Sequence, residues 1–158
     1  MRTRTGRIAS LAAVASLAAV IALPSLSSGA TLLGAKLKGA NEVPGPGDPN
    51  GKGGIQLSLK TKKKKVCFTL EYRKLDGGAV AGHIHKGEKG EAGPIKVELF
   101  EADPPLGEQG SFEGCERNVK RKLIRKIKRK PSNYYVNIHT PPYPDGAIRG
   151  QLKPDQEI

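Results

Sequence analysis

From residue 30 onward, glycine and proline recur at short intervals, and this spacing constrains the fold more than any other feature of the sequence. Between them lie short segments in which apolar and polar side chains alternate, such as IQLSLK at 55–60 and VCFTLEYR at 66–73. Alternation with a period of two is typical of strands with one buried face, and glycine and proline favour the turns between them. Alternating strands and helices are absent from the pattern, so we do not expect a parallel sheet.

The alternation predicts seven short strands and a single helix. The helical segment 117–130 has one apolar stripe among lysine and arginine, with Asn118 as its expected N-cap and Pro131 ending it. The stretch 40–54 is predicted to be a loop, and the turn PPYPDG is expected to join the last two strands. These elements predict an all-β fold, an antiparallel Greek-key β-sandwich with one short basic helix. The predicted strands lie at 32–39, 55–60, 66–73, 79–85, 94–101, 133–140 and 146–152.

The first thirty residues have the pattern of a secretory signal peptide. Three arginines without an acidic residue precede the apolar stretch Ile8–Leu23, and Ser28 and Ala30 occupy the small-residue positions before a cleavage site. We therefore predict a signal peptide at 1–30 and a single domain at 31–158, secreted to a bacterial cell surface or periplasm. An uncleaved membrane anchor is the alternative, because the apolar stretch is long enough for one. After cleavage we expect no transmembrane span.

The chain is strongly basic, with a formal net charge of +12, and two segments carry most of the excess. A basic secreted domain favours an anionic neighbour, so we expect contact with a cell-wall or extracellular polymer and no binding of nucleic acid. A solvated charged face and a helix lying on a membrane surface are the alternatives. We expect a monomer. The residues of this predicted anion-binding surface are Lys62, Lys63, Lys64, Lys65, Lys120, Arg121, Lys122, Arg125, Lys126, Lys128, Arg129 and Lys130.

The chain has two cysteines, Cys67 and Cys115, both within the predicted domain. Two cysteines in an oxidising compartment usually pair, so we predict a disulfide between them. Two unpaired buried thiols are the alternative. A metal role is disfavoured because neither cysteine belongs to a Cys-x-x-Cys pair.

The three histidines of the chain, His83, His85 and His139, all fall on predicted strands. Residues i and i+2 of a strand share one face, so the imidazoles of His83 and His85 lie side by side, about 6.6 Å apart along the strand. A third imidazole from a neighbouring strand would complete a set of three nitrogens that suits copper, zinc or nickel. The alternative is that these side chains only form hydrogen bonds to nearby loops and turns.

Three sequence blocks resemble the CHRD domain, which occurs in repeats in chordin and singly in many bacterial secreted proteins. The blocks are LKGANEVPGPGDPNGKG, GHIHKGEKGEAGPIKVELF and YYVNIHTPPYPDGAIRGQL, and together they cover about residues 32–152. Where the family usually has Glu-Val-Pro-Pro, this chain has EVPG. The resemblance implies an immunoglobulin-like all-β domain, and it supplies no established catalytic residues.

A fainter similarity is to the copper/zinc superoxide dismutases, which are Greek-key sandwiches with a His-Val-His pair on one strand and a late histidine on another. His83, His85 and His139 match three copper-ligand positions of that pattern in order. The fourth histidine of the dismutase copper site has no counterpart in residues 86–94, and Arg149 is only a loose counterpart of the catalytic arginine. Dismutase activity is therefore the less favoured hypothesis.

The sequence favours a non-enzymatic binding module that holds copper through the three histidines. A dismutase-like copper enzyme and a metal-free structural or adhesive domain are the alternatives. Within the same blocks, Glu42, Asn137 and Arg149 are the polar residues that we expect to orient the imidazoles. Alternatively, Glu42 satisfies loop amides and Arg149 forms an ion pair with it.

Overall fold

The computed structural model describes residues 30–155. Residues 1–29 of the predicted signal peptide lie outside this range, so the prediction of a leader stays a prediction. Within the described range, no helix is long and apolar enough to cross a membrane.

The described residues form nine strands and one α-helix. Two 3-10 turns, Gly39–Asn41 and Pro131–Asn133, connect some of them. The strands are β1 Thr31–Lys38, β2 Lys52–Lys60, β3 Lys65–Arg73, β4 Ala81–Lys86, β5 Ile95–Glu101, β6 Gly110–Glu116, β7 Tyr134–Thr140, β8 Tyr143–Gln151 and β9 Lys153–Pro154, and the helix is α1 Arg121–Arg129.

All strand pairs are antiparallel, in the order β5-β4-β7-β8-β1-β2-β3-β6, with β9 pairing with β1. The sheet curls until its two end strands, β5 and β6, approach each other. Phe100 of β5 and Phe112 of β6 are in edge contact there, with ring centroids 5.2 Å apart, and Phe68 of β3 packs against both. The molecule is therefore a nearly closed antiparallel sandwich with one short helix, which confirms the predicted fold class.

The core follows from the alternation in the sequence. In β3, for example, Val66, Phe68 and Leu70 are buried, whereas Thr69 and Glu71 between and beside them are exposed. Such alternation buries one face of each strand and leaves the other for solvent or for a site. The apolar stripe of the helix completes the core through fully buried Ile124 and Ile127.

The predicted disulfide is confirmed. Cys67 and Cys115 lie directly opposite each other on β3 and β6, and their sulfur atoms are bonded. The strand that carries Cys115 was not predicted, because in GSFEGCE only Phe112 is a large apolar residue. Its place in the sheet comes from pairing with β3 rather than from an apolar face of its own.

The helix is shorter than the predicted segment 117–130. It begins after Lys120, which occupies the N-cap position, so the expectation that Asn118 caps it is wrong. Asn118 instead adopts a left-handed conformation (φ 62°), which asparagine tolerates better than most residues. The helix ends at Arg129, two residues before Pro131, as expected from the restriction that proline places on its predecessor.

Two loops are also shorter than predicted. The strand β2 begins at Lys52, because its first residues pair with the last residues of β1 despite Gly53 and Gly54. The turn predicted over PPYPDG contracts to Pro141 and Pro142, since Thr140 already pairs with Tyr143.

Candidate metal centre

One outward face of the sheet carries a row of polar residues across four neighbouring strands. The residues His83, Asn137, Arg149 and Lys38 are paired in that order on β4, β7, β8 and β1. Directly paired residues share a face of the sheet, so these side chains lie in one line. Ile84, between the two histidines of β4, is fully buried in the core on the opposite face.

The three imidazoles meet at the β4–β7 end of this row. Each of His83, His85 and His139 offers one nitrogen, and these ligand atoms all lie within 4.8 Å of one another. His83 Nδ1 and His139 Nε2 are 3.0 Å apart. The structure therefore contains the three-histidine cluster that the i, i+2 spacing and the late histidine predicted.

Backbone carbonyls fix the orientation of two of the rings. His85 Nδ1 donates to the Gly93 carbonyl at 2.7 Å, and His139 Nδ1 donates to the Pro144 carbonyl at 2.9 Å. In the neutral ring the other nitrogen, Nε2, then carries the lone pair that a metal ion needs. His85 Nε2 is buried and has no hydrogen-bond partner among the described residues, which fits a donor set prepared for a metal ion.

The surroundings keep the imidazoles neutral. Burial, together with the neighbouring His139 and His85, lowers the pKa of His83 to about 4. Burial is also the main cause that lowers the pKa values of His85 and His139. Metal ions bind the unprotonated ring, so the cluster is in its ligand form at neutral pH.

Of the three predicted orienting residues, Asn137 contacts the cluster directly, and Arg149 reaches it through Tyr135. The Asn137 side-chain amide lies 3.1 Å from His139 Nε2. The Arg149 guanidinium lies 3.4 Å above the Tyr135 ring, and that ring stacks on His85 with centroids 4.8 Å apart and planes 12° apart. Arg149 therefore acts on His85 through Tyr135.

Glu42 is not among the ligand groups of the cluster. Its carboxyl group lies against Gly146, where a Cβ atom would come within 2.6 Å of Glu42 Cδ. Burial raises the pKa of Glu42 to about 7, although Arg149 acts to lower it. Arg149 donates its hydrogen bonds elsewhere, to the Glu88 and Glu91 carbonyls.

The sequence reasoning missed Tyr135 and Gly93. Tyr135 is spaced i, i+2, i+4 with Asn137 and His139 on one strand, and this spacing was the available signal for its place on the site face. Gly93 accepts from His85 through its carbonyl and donates its N–H to Tyr135 Oη at 3.1 Å. No sequence pattern marks this role, because it depends on how the loop 87–94 folds back over the sheet.

That loop is fastened by several side chains of the site face. Arg149 Nη2 donates to the carbonyls of Glu88 (3.1 Å) and Glu91 (2.8 Å). Gln151 Nε2 donates to the Gly87 carbonyl at 2.8 Å. The glycine-rich loop is therefore a fixed cover over His85.

The lysine hairpin and the basic helix form one surface. The Val119 N–H donates to the Lys64 carbonyl at 3.0 Å, and Arg121 Nη2 donates to the Lys62 carbonyl at 3.4 Å. These bonds hold the β2–β3 turn beside the start of the helix. Lys65 and Lys128 are half-buried, and the other ten members of the predicted anion-binding surface are exposed.

The fold and the site together define a small, disulfide-linked antiparallel β-domain with a three-histidine cluster on one sheet face, in which two rings are buried and that of His139 is half-buried. Comparison with protein families matches the CHRD domain over residues 33–152. The chain therefore belongs to the CHRD domain family. No curated protein and no solved structure gives a significant match to it. A CHRD domain with an intramolecular disulfide is consistent with an extracellular protein.

Proposed function

We propose that this CHRD domain is a secreted, non-enzymatic binding module that holds a copper ion through His83, His85 and His139. One observation carries the proposal: three ligand nitrogens lie within 4.8 Å of one another. The hydrogen bonds from Nδ1 of His85 and His139 to carbonyls support it, because they leave the lone pair of each ring on Nε2. His85 Nε2 has no partner among the described residues, and an ion would replace the contact of His139 Nε2 with His83 Nδ1.

The donor set favours copper. Imidazole nitrogen suits copper, zinc and nickel, and Cu²⁺ binds a given nitrogen site more tightly than the other divalent first-row ions. Both cysteines are joined in the disulfide, so no thiolate competes for the ion.

We propose a module without catalytic activity because of the number of histidines. The chain has three, and the cluster uses all of them. A dismutase-like copper site takes a fourth imidazole, which this sequence does not contain.

The first test is titration of the purified protein with Cu²⁺, followed by the paramagnetic resonance spectrum of the loaded form. We expect one ion per chain and nitrogen hyperfine splitting. Alanine at His83, His85 or His139 should weaken binding by more than the roughly 10–100-fold typical of residues that only orient a ligand. Asn137→Ala should fall within that smaller range, and Lys96→Ala, an exposed site on β5, should bind as the wild type does. Absence of stoichiometric binding by the wild type would overturn the proposal.

A superoxide-consumption assay on the copper-loaded protein separates the binding module from the dismutase-like enzyme. Activity no greater than that of free copper supports the binding module. Activity above free copper that disappears with His139→Ala would favour the enzyme.

Secretion is a further part of the proposal. Expression of the full chain in a bacterial host should give an extracytoplasmic protein whose first residue follows Ala30, as read by mass spectrometry. Recovery of the intact chain in the membrane fraction would favour the anchor instead.

A second candidate function is contact with an anionic extracellular polymer through the lysine hairpin and the helix. The bonds that hold these two elements together favour it, because they merge two basic segments into one surface. Retention on immobilised heparin should fall when Lys63 and Lys126 are both replaced by alanine. Alanine at Lys52 and Lys96 removes the same charge elsewhere, and an equal loss from that pair would contradict a specific surface.

A further inference from the structure

The disulfide between Cys67 and Cys115 lies on the outward face of the sheet rather than in its core. Val66 and Phe68, the neighbours of Cys67 along β3, are buried, whereas Cys67 is half-buried and Cys115 is exposed. Exposed disulfides are more readily attacked by thiols than disulfides that are packed in a core. The bond is therefore placed where a thiol from solution can reach it.

The side chains in the same row leave the disulfide uncovered. Leu32 of β1, Ser58 of β2, Cys67 and Cys115 are paired in that order, so all four share the outward face. Leu32 is itself 55% exposed, and the serine side chain is small. All four residues line a surface hollow of about 460 Å³, so a small molecule that enters the hollow meets both cysteines.

Two lysines stand beside Cys67 in the next row of this face. Cys67 lies between Lys65 and Thr69 on β3, and Lys65 pairs with Lys60 of β2. Residues i and i+2 of a strand are about 6.6 Å apart along it, a distance that a lysine side chain spans. Both lysines line the hollow. A nearby ammonium group lowers the pKa of a thiol, so a thiolate formed at Cys67 is stabilised.

The charges around Cys115 oppose each other. Glu113 precedes Cys115 by two residues and Arg117 follows it by two, so an acid and a base flank this cysteine. The other acid of the hollow, Asp155, follows β9 and lies beside β1, at the far end of the row. In thiol–disulfide exchange the sulfur with the lower thiol pKa leaves faster. Cys67 is therefore the better leaving group, and the exposed Cys115 is the sulfur that is attacked.

We propose that Cys115 is a site of thiol–disulfide exchange with a low-molecular-weight thiol of the cysteine or glutathione class. The thiolate of that molecule attacks Cys115 Sγ, and the new sulfur–sulfur bond forms as the bond to Cys67 breaks. The electron pair of the broken bond leaves on Cys67 Sγ, as a thiolate that water can protonate. Because Cys67 lies directly opposite, its attack in reverse restores the original bond and expels the small thiol.

The test is incubation of the purified protein with reduced glutathione and a metal chelator, followed by quenching in acid and mass spectrometry of the peptides. We expect glutathione on Cys115 and a free thiol at Cys67. Removal of the free glutathione should then restore the disulfide between the two cysteines. Because the metal is absent throughout, failure here leaves the copper titration unaffected.

The dependence of the exchange rate on urea shows whether the folded protein is attacked. Attack on the native state has a rate that hardly changes at low urea, whereas attack that requires unfolding becomes faster with the first additions of urea. We expect the rate to be independent of urea well below the unfolding transition. A rate that follows the free energy of unfolding down to zero urea would overturn the proposal, because the fold would then protect the bond.

A pair of lysine variants tests the assignment of the leaving group. Replacement of both Lys60 and Lys65 by alanine should slow the exchange by at least about threefold at low ionic strength, because the Cys67 thiolate loses its cations. The control pair Lys63→Ala and Lys64→Ala removes the same charge outside the lining of the hollow and should react at the wild-type rate. Equal slowing by the two pairs, or glutathione found mainly on Cys67, would overturn the proposal.

Discussion

Glu42 is a buried carboxyl group in an unusual setting. It is 6% exposed, and its Oε1 atom has no hydrogen-bond partner among the described residues. The backbone of Gly47 and Gly146 packs closely against its side chain, since a Cβ atom on either glycine would come within 2.7 Å of it. Burial raises the pKa of Glu42 from 4.5 to about 7, so the folded protein takes up a proton between these pH values that the unfolded chain has released.

The sign of the resulting pH dependence follows from this linkage. The folded state binds the proton more tightly, so the contribution of Glu42 to stability is fully present below pH 4.5 and is lost as the pH rises through about 7. Glu42→Gln removes the charge while keeping the shape. We expect the variant to match the wild type near pH 4.5 and to exceed it by about 3 kcal/mol in free energy of unfolding at pH 8.

Urea unfolding of both proteins in a chelator, at pH 5 and pH 8, measures this difference. The histidines titrate alike in both proteins, so comparing the two at each pH cancels their effect. Glu101→Gln is the control, because this carboxyl group is exposed. A wild-type-to-variant difference that does not change with pH would show that Glu42 is already ionised in the folded protein.

The histidine cluster shows which contacts a sequence can predict. Alternation on a strand places His83 and His85 on one face, and that part of the site followed from spacing alone. The register of β4 against β7, which brings His139 beside them, had to come from the structure. The position of Glu42 also had to come from the structure. Its expected role near the imidazoles depended on the path of its loop, which the residue types do not determine.

Among the elements, the loop 87–94 does most to organise the site. It joins β4 to β5, and its Gly93 bonds both to His85 and to Tyr135. A Cβ atom on Gly93 would overlap the carbonyl oxygen of Lys86, the last residue of β4. Glycine is therefore needed here for close packing of backbone against backbone.

Gly93→Ala should open this loop. We expect a loss of about 1–3 kcal/mol in free energy of unfolding, typical of overpacking, and weaker copper binding because His85 loses its fixed acceptor. Gly54→Ala is the matched control, since a Cβ atom there meets nothing within 4 Å. Urea unfolding measures the loss of stability, and the copper titration measures the loss of binding, in both variants. Wild-type copper affinity in Gly93→Ala would show that the loop does not orient His85.

The strands differ in how well their sequences predicted them. β3 has strict alternation and was predicted to within one residue, whereas β6 has only one large apolar residue and was missed. β6 is a strand because it pairs with β3, and its own sequence has no pattern from which a strand could be predicted. The start of α1 was predicted too early for a related reason. The Val119 N–H donates to the Lys64 carbonyl, in the β2–β3 turn, instead of to a carbonyl of the helix.

At the scale of the whole described domain, the fold is one curled sheet whose two end strands meet. The strands β5 and β6 end the sheet, and the three phenylalanines of the chain pack together where these ends meet. Unpaired edges favour pairing with other chains, and bringing two edges together limits that exposure. The disulfide fastens β6 to β3 at this closure, with Cys115 itself exposed.

Replacing Cys67 and Cys115 together by alanine tests how much the closure depends on the disulfide. The bond closes a loop of 48 residues, so the chain-entropy relation predicts a loss of about 4 kcal/mol in free energy of unfolding. The histidine cluster lies on β4 and β7, whereas the disulfide joins β3 to β6, so the two features share no strand. We therefore expect the folded double variant to bind copper with the affinity of the wild type.

Urea unfolding and the copper titration of the double variant measure the two effects separately. Reduction of the wild type should give the same loss of stability, which controls for packing changes caused by alanine. Loss of copper binding under conditions where the variant is still folded would show that the closure and the metal centre are coupled. In that case the curled sheet, rather than the β4–β7 pair alone, positions the imidazoles.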